Sequence, residues 1–493
     1  MVNTDTTTPT SSTTTTTTSP NRQERSTINV GVDTLRNGLN PHLRADSSSL
    51  VDSIADLVLP SAFNRSQINK DLLDSAAIVA PHEGAAQTVR YAINNSAQWS
   101  DGTPISGQDF VYLWKSITST PGVVGSAGYR DIKNIRVSGN GKFVEVDLDA
   151  PMPQWEGLFR YLLPSHLAQA DGSDFATAFY NNLPAAGGRF MVASVDHSRG
   201  VIELHRNDRF WGAAPAKVDV LQLSAVTSVT QATDLMRSGQ ASYLDISPKE
   251  TTADALKLVP GIKVNSQTAS RELRLELNTT APTLNTRDMR AQLTSLLDVS
   301  RIAKLAAGRS SNVDVSNWSE PTGVDADSLR AATKDHPLRI AADPADPAAS
   351  AAARAVADML SGSGVPATIV TSDLNDTARK GLPSNDVDAV ISWSSRVNDP
   401  VAEASHYQCA STPNDTRDAN LTGFCSPAGD KLVSDIITGA VPADQALDRL
   451  NRLRDDERLA VPLLGDRRVT AVGPGIVGPD NLSQASSWTQ KGS

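Results

Sequence analysis

The 493-residue chain has only two cysteines, Cys409 and Cys425, and aromatic side chains make up 5% of it. No run of about 18 apolar residues occurs, so no segment reads as a bilayer-spanning helix. Basic residues are outnumbered, and the net charge of −10 excludes a broad basic surface for nucleic acid. No Gly-rich loop ends in Gly-Lys-Ser/Thr, and no G-x-S-x-G elbow appears. The seven histidines, His42, His82, His166, His197, His205, His336 and His406, show no metal-ligand spacing. His197 and His205 are expected on opposite arms of one hairpin, where chance placement outweighs a metal pair. Carboxylates are plentiful, but nothing singles out an acid–base pair. The expectation is therefore a protein without catalysis, metal or cofactor; a hydrolase using an unrecognised carboxylate pair is the weaker alternative.

What is present is ordinary globular composition, 39% hydrophobic and 20% charged, in a chain long enough for more than one core. Residues 4–19 are nearly all Thr, Ser and Pro, and bury too little apolar surface to offset ordering entropy. Residues 1–26 read as a disordered tether before a folded body. That fits a lipoprotein whose signal peptide and anchoring Cys are absent from this sequence, with membrane association only through that anchor; a dispensable tail is the plain alternative. Cys409 and Cys425 share one polar loop and read as a disulfide, which points to an extracytoplasmic setting, rather than as two buried thiols.

Strand and helix patterns alternate from Ile28 onward, giving the α/β class. Ile28–Val32 reads as a strand followed by a polar turn. Leu50–Leu59 reads as a helix. Ser106 and Asp109 have capping-box spacing, with Phe110, Leu113, Trp114 and Ile117 as the buried stripe behind them. Lys142–Leu148 alternates as a strand with Asp147 and Asp149 facing solvent. Thr286 is expected to cap one long helix running to about Ala306. Asp386–Trp393 is the clearest strand of the second half. Trp99, Trp114, Phe210 and Trp211 are expected in core packing.

Several motifs occur in order. Trp99-Ser100-Asp101-Gly102-Thr103-Pro104-Ile105-Ser106-Gly107-Gln108-Asp109-Phe110 is the first. Pro184-Ala185-Ala186-Gly187-Gly188-Arg189-Phe190 is the second, and Leu204 to Gly212, with Asn207, Phe210 and Trp211, is the third. Leu277-Asn278, then Arg287 and Arg290, then Asp298-Val299-Ser300-Arg301 complete the series. Together they resemble the extracytoplasmic solute-binding proteins of the peptide/nickel class, the binding components of ABC importers. The resemblance spans about residues 28–480. It implies a two-lobed clamshell of the periplasmic-binding-protein type II, in the large class with an extra subdomain. One lobe would hold 27–272 and 465–493, with a subdomain inserted at about 60–180; the other would hold 273–464. Ligands of such proteins lie between the lobes.

In the family's peptide binders a strand ends in Trp, and an Asp three residues later meets the peptide's ammonium. Here Trp393 is followed at that spacing by Arg396, with Asn398 and Asp399 beyond. A guanidinium there disfavours an ammonium and favours phosphate, carboxylate or sugar hydroxyls. The alternative is a shifted loop that points Arg396 to solvent. Trp393 would stack on a sugar face, or else is core at a strand end. Arg36, Asn37 and His42 follow the first strand, where the family brings main chain to the ligand; a plain surface turn is the alternative.

The Thr-rich tether, the weakened signature and the lost ammonium site also resemble a branch of the family found as envelope lipoproteins of lipoarabinomannan synthesis. That resemblance implies a phosphatidylinositol mannoside ligand, membrane mannosyltransferases as partners, and a monomer. The competing expectation is the peptide-binding subunit of an oligopeptide importer.

Overall fold

The computed structural model describes residues 25–170, 174–395, 399–410 and 417–490. Residues 1–24 of the segment read as a tether lie outside them, as do Arg396 and Asn398.

Ten strands form one mixed sheet. From one edge the order is Ala367–Thr371, Leu338–Ala342, Ala389–Ser395, Lys263–Leu277 and Ala460–Val472, followed by Tyr243–Ile246, Thr27–Val32, Val220–Ala225, Val201–Arg206 and Phe190–Asp196. Thr27–Val32 runs parallel to both its neighbours, and Leu338–Ala342 does the same at the other end. The two central strands are long, 15 residues for Lys263–Leu277 and 13 for Ala460–Val472, and they pair with each other antiparallel. Their register is interrupted between Thr268 and Glu272. On one side of that break Val264, Val469 and Ala471 pack beneath the helix Val229–Arg237. On the other, Leu273, Leu275, Leu277, Val461 and Leu463 join Ile340, Val356 and Ile391 in a separate apolar core. The same two strands thus run through two packed bodies.

The largest core lies under the first-half strands and a four-stranded antiparallel sheet of Leu73–Val79, Gln87–Ile93, Phe143–Leu148 and Ile132–Ser138. Against that sheet lies the helix Gly107–Ser119. It starts where the sequence places it: the Ser106 hydroxyl accepts from the Gln108 N–H, and Asp109 accepts from the Ser106 N–H. Phe110, Leu113 and Ile117 are each at most 1% exposed, and such burial contributes about 1.5–3 kcal/mol per side chain. Trp99 is fully buried, Trp114 and Trp211 are partly buried against the same core, and Phe210 packs on Trp211.

Three local expectations are corrected. Asp147 is buried, because it stands opposite Thr88 in the ladder and accepts its hydroxyl at 2.7 Å while Arg136 covers its other oxygen. The long helix after Thr286 is two helices, Arg287–Thr294 and Val299–Ala307. Asp298 breaks it by acting as the second N-cap, its carboxylate accepting from the Arg301 N–H at 2.9 Å. His205 lies on its strand, but His197 sits in the turn before it, stacked on Tyr180 at 5.2 Å. Among the described residues no cluster of three or more His, Cys, Asp or Glu is placed to hold a metal, and no helix is long and apolar enough to cross a membrane.

Candidate functional site

After Val32 the chain runs through an irregular segment to the helix Ser49–Val58, so its backbone polar groups need partners outside regular ladders. Asp46 supplies two of them. Its Oδ1 accepts from the Gly38 N–H and its Oδ2 from the Asn40 N–H, both at 3.0 Å. Asn37 donates through Nδ2 to the Ala45 carbonyl at 2.8 Å, which closes the loop on itself. Burial pushes the Asp46 carboxyl up to about 7; the N–H groups of Asn40 and Gly38 pull it down, and the charge of Asp343 adds to the rise.

The facing wall comes from the end of the strand Leu338–Ala342. Asp346 caps the helix Pro347–Gly362, its Oδ1 accepting from the N–H groups of Ala348 and Ala349 at 3.1 Å each. That leaves Oδ2 for an ion pair with Arg36. Asp343 accepts from the Ala345 N–H through Oδ1, and its Oδ2 accepts from Leu374 N at 3.3 Å and Asn37 Nδ2 at 3.1 Å. The loop after the first strand and the loop before the Pro347 helix are therefore tied directly to each other.

The strand Ala389–Ser395 brings up Ser392 and Trp393 on alternate faces. Below them lies a buried pair. Arg44 holds Glu276 through both terminal nitrogens, at 3.1 and 2.6 Å, and donates to the Ser392 hydroxyl at 2.9 Å. Burial pushes the Glu276 carboxyl up, but the charge and hydrogen bonds of Arg44, with the charges of His406 and Arg274, leave it lowered.

Between these walls lies a cavity open to water-sized spheres over about 20 Å³. That is room for one water and for no sugar or peptide. The structure brings Trp393, Arg36 and Asn37 together on it. His42 does not line it: Nε2–H donates to the Tyr161 carbonyl at 2.9 Å, with the ring near those of Tyr161 and Phe175. Part of the His42 side chain still meets solvent, yet burial of the ring lowers its pKa to about 4. Arg396 and Asn398 lie outside the described residues. Sequence reasoning missed Arg44, Glu276, Asp343 and Asp346. Asp346 had a signal, since Asp before Pro marks an N-cap followed by Pro at the first helical position. Arg44 and Glu276 had none, because their meaning lies in a contact across 232 residues.

Cys409 and Cys425 form a disulfide.

A sequence model of bacterial extracellular solute-binding proteins, family 5, matches residues 83–415, and the chain belongs to that family. Its members are binding proteins rather than enzymes. The chain is 25% identical to the probable monoacyl phosphatidylinositol tetramannoside-binding protein LpqW of Mycobacterium tuberculosis, over 96% of this chain and 93% of that one. Among solved structures, the agropinic acid complex of AgaA from A. tumefaciens superposes with a TM-score of 0.73 at 15% identity, covering 94% of this chain and 99% of that one. The nonapeptide complex of AppA from Bacillus subtilis gives 0.70 at 13% identity, covering 95% and 99%. The fold is thus that of two-lobed solute-binding proteins.

Proposed function

We propose that this chain is a non-catalytic cell-envelope lipoprotein that binds a polar or anionic glycolipid headgroup, of the phosphatidylinositol mannoside type, between two lobes. The lobes are residues 27–272 with 465–493, carrying the inserted subdomain at 60–180, and residues 273–464. They hinge where the paired strands Lys263–Leu277 and Ala460–Val472 lose register. In this reading the protein serves lipomannan and lipoarabinomannan synthesis by presenting its ligand to membrane mannosyltransferases. It does so as a monomer held to the membrane by a lipid anchor. Trp393, Arg36 and Asn37 are ligand contacts, joined by Arg396 and Asn398; His42 holds the loop that carries Arg36.

The observation that carries the reading is the relation to LpqW along nearly the whole chain. The cleft chemistry supports it, since Trp393 offers a flat apolar face beside amide, guanidinium and carboxylate groups suited to hydroxyls. Native mass spectrometry of protein purified from its own envelope tests it: a bound mannosylated lipid is expected. Oligopeptide importer binding is the second reading, favoured by the AppA likeness. Bound peptides, with thermal stabilisation by peptides and none by mannosides, would replace the first reading by the second.

A further inference from the structure

We infer that the two contacts closing the cleft, Arg36 with Asp346 and Asn37 with Asp343, occupy the seat of an uncharged sugar diol, so that the cleft floor selects neutral hydroxyls and leaves any charged group of the ligand outside. This rests on the glycolipid reading and specifies which part of the ligand the floor takes.

The argument begins with space. About 20 Å³ holds no sugar ring, so ligand entry must part the walls and break both contacts. Each wall is then left with opposite needs. Arg36 and Asn37 require acceptors, while Asp343 and Asp346 require donors. A phosphate only accepts: it would satisfy Arg36 and Asn37 and set its charge against two carboxylates. An ammonium only donates: it would satisfy the carboxylates and face Arg36. A hydroxyl both donates and accepts, and two adjacent hydroxyls replace both contacts at once.

Charge points the same way. Arg36 and Arg44 stand against Asp343, Asp346 and Glu276, so the floor has no excess of positive charge to draw an anion. One donor is also already waiting. Arg44 is 3% exposed and lines the cavity, and its Nε–H has no acceptor among the described residues. Because Glu276 neutralises that guanidinium, Nε suits a neutral oxygen. Trp393 supplies the apolar surface against which the C–H face of a ring would lie.

Calorimetric titration of the full chain with three probes tests this: α-1,6-linked mannotetraose, inorganic phosphate and tetra-alanine. Mannotetraose is expected to bind at least tenfold more tightly than the other two. Arg36→Met and Asn37→Ala are each expected to weaken it at least tenfold while the far-ultraviolet circular dichroism stays that of the parent. Asp343→Asn serves as a third variant from the opposite wall. A parallel titration with a short-chain phosphatidylinositol mannoside separates the two levels of the argument. If that lipid binds but mannotetraose does not, or if the variants bind mannotetraose as tightly as the parent, the diol seat is wrong and the glycolipid reading stands. If tetra-alanine binds and neither mannoside does, both fall.

Discussion

Removing the Arg44 guanidinium tests whether the buried pair beneath the cleft ties the first-strand loop to the central sheet. Both side chains are at most 4% exposed, and the contact is bidentate at 3.1 and 2.6 Å. Arg44→Met would leave the Glu276 carboxylate in a dry site with, among the described residues, only the Ser392 hydroxyl left to donate to it, at 3.4 Å. Stranding one charge of a buried pair costs about 3–5 kcal/mol, whereas replacing both with apolar groups of similar volume is near neutral. Urea unfolding followed by tryptophan fluorescence should show that loss for Arg44→Met. The double variant Arg44→Met with Glu276→Met should recover to within about 1 kcal/mol of the parent. The pH dependence adds a second check. In the parent, Glu276 is held low, so its contribution is present above its unfolded value and is lost in acid. Without Arg44, burial, the largest single influence, is opposed only by the charges of His406 and Arg274, and the folded value is expected to rise above the unfolded one. The variant's deficit must then shrink as pH falls from 8 towards 5, because the folded form takes up the proton. A deficit under 1 kcal/mol, a deficit independent of pH, or a double variant no better than the single one would refute the reasoning.

Three further outcomes are expected. His42 has a folded pKa of about 4, below its unfolded value, so the unfolded state binds its proton first and stability falls as pH drops from about 6.5 to 4. With a discount for its partial exposure the loss is on the order of 2–3 kcal/mol; Asp46 slopes the opposite way, so comparing parent and His42→Gln melting across that range isolates it, and equal slopes would contradict the assignment. Reducing Cys409–Cys425, which closes a loop of 16 residues, should lower stability by about 3 kcal/mol on the chain-entropy account; an unchanged melting midpoint in dithiothreitol would oppose it. Trp393→Ala should weaken mannoside binding by roughly tenfold, from the usual worth of an aromatic contact, as read by calorimetry; unaltered binding would make Trp393 a packing residue only.

Local order was legible in the sequence wherever one short segment carries its own cause. The Ser106–Asp109 cap with its buried stripe and the first strand, expected over Ile28–Val32 and found as Thr27–Val32, both follow from neighbours a few residues apart. The order of motifs made the family legible too. Non-local features were not. Lys263–Leu277 carries the apolar alternation of a strand only from Leu273, because its first eight residues are mostly polar and are held by pairing with Ala460–Val472. Asp147 read as a solvent-facing position because alternation says nothing of Thr88 and Arg136 across the sheet. In the cleft, Trp393, Arg36 and Asn37 were found through the family's segment order, while Asp343, Arg44 and Glu276 acquire a role only when distant loops meet.

One strand explains why that meeting place is polar. Along Lys263–Leu277, Leu273, Leu275 and Leu277 enter the apolar core, and alternation sends Glu272, Arg274 and Glu276 to the other face. That face is buried, and every charge on it has a partner. Arg274 holds Glu272 and Glu403, each at 2.9 Å, and Arg44 holds Glu276. Just before it, Arg271 donates at 2.6 Å to both the hydroxyl and the carbonyl of Ser47. The segment from Arg44 to Ser47 thus docks on the central sheet through ions and hydrogen bonds rather than through leucines. An apolar seam would cost free energy in proportion to the area exposed on parting. In a polar seam, water replaces each lost partner, and the net worth of the contacts is small beside their number. If the lobes part to admit a ligand, as proposed above, a seam of the second kind separates at the smaller cost, and the charged face of this strand supplies it.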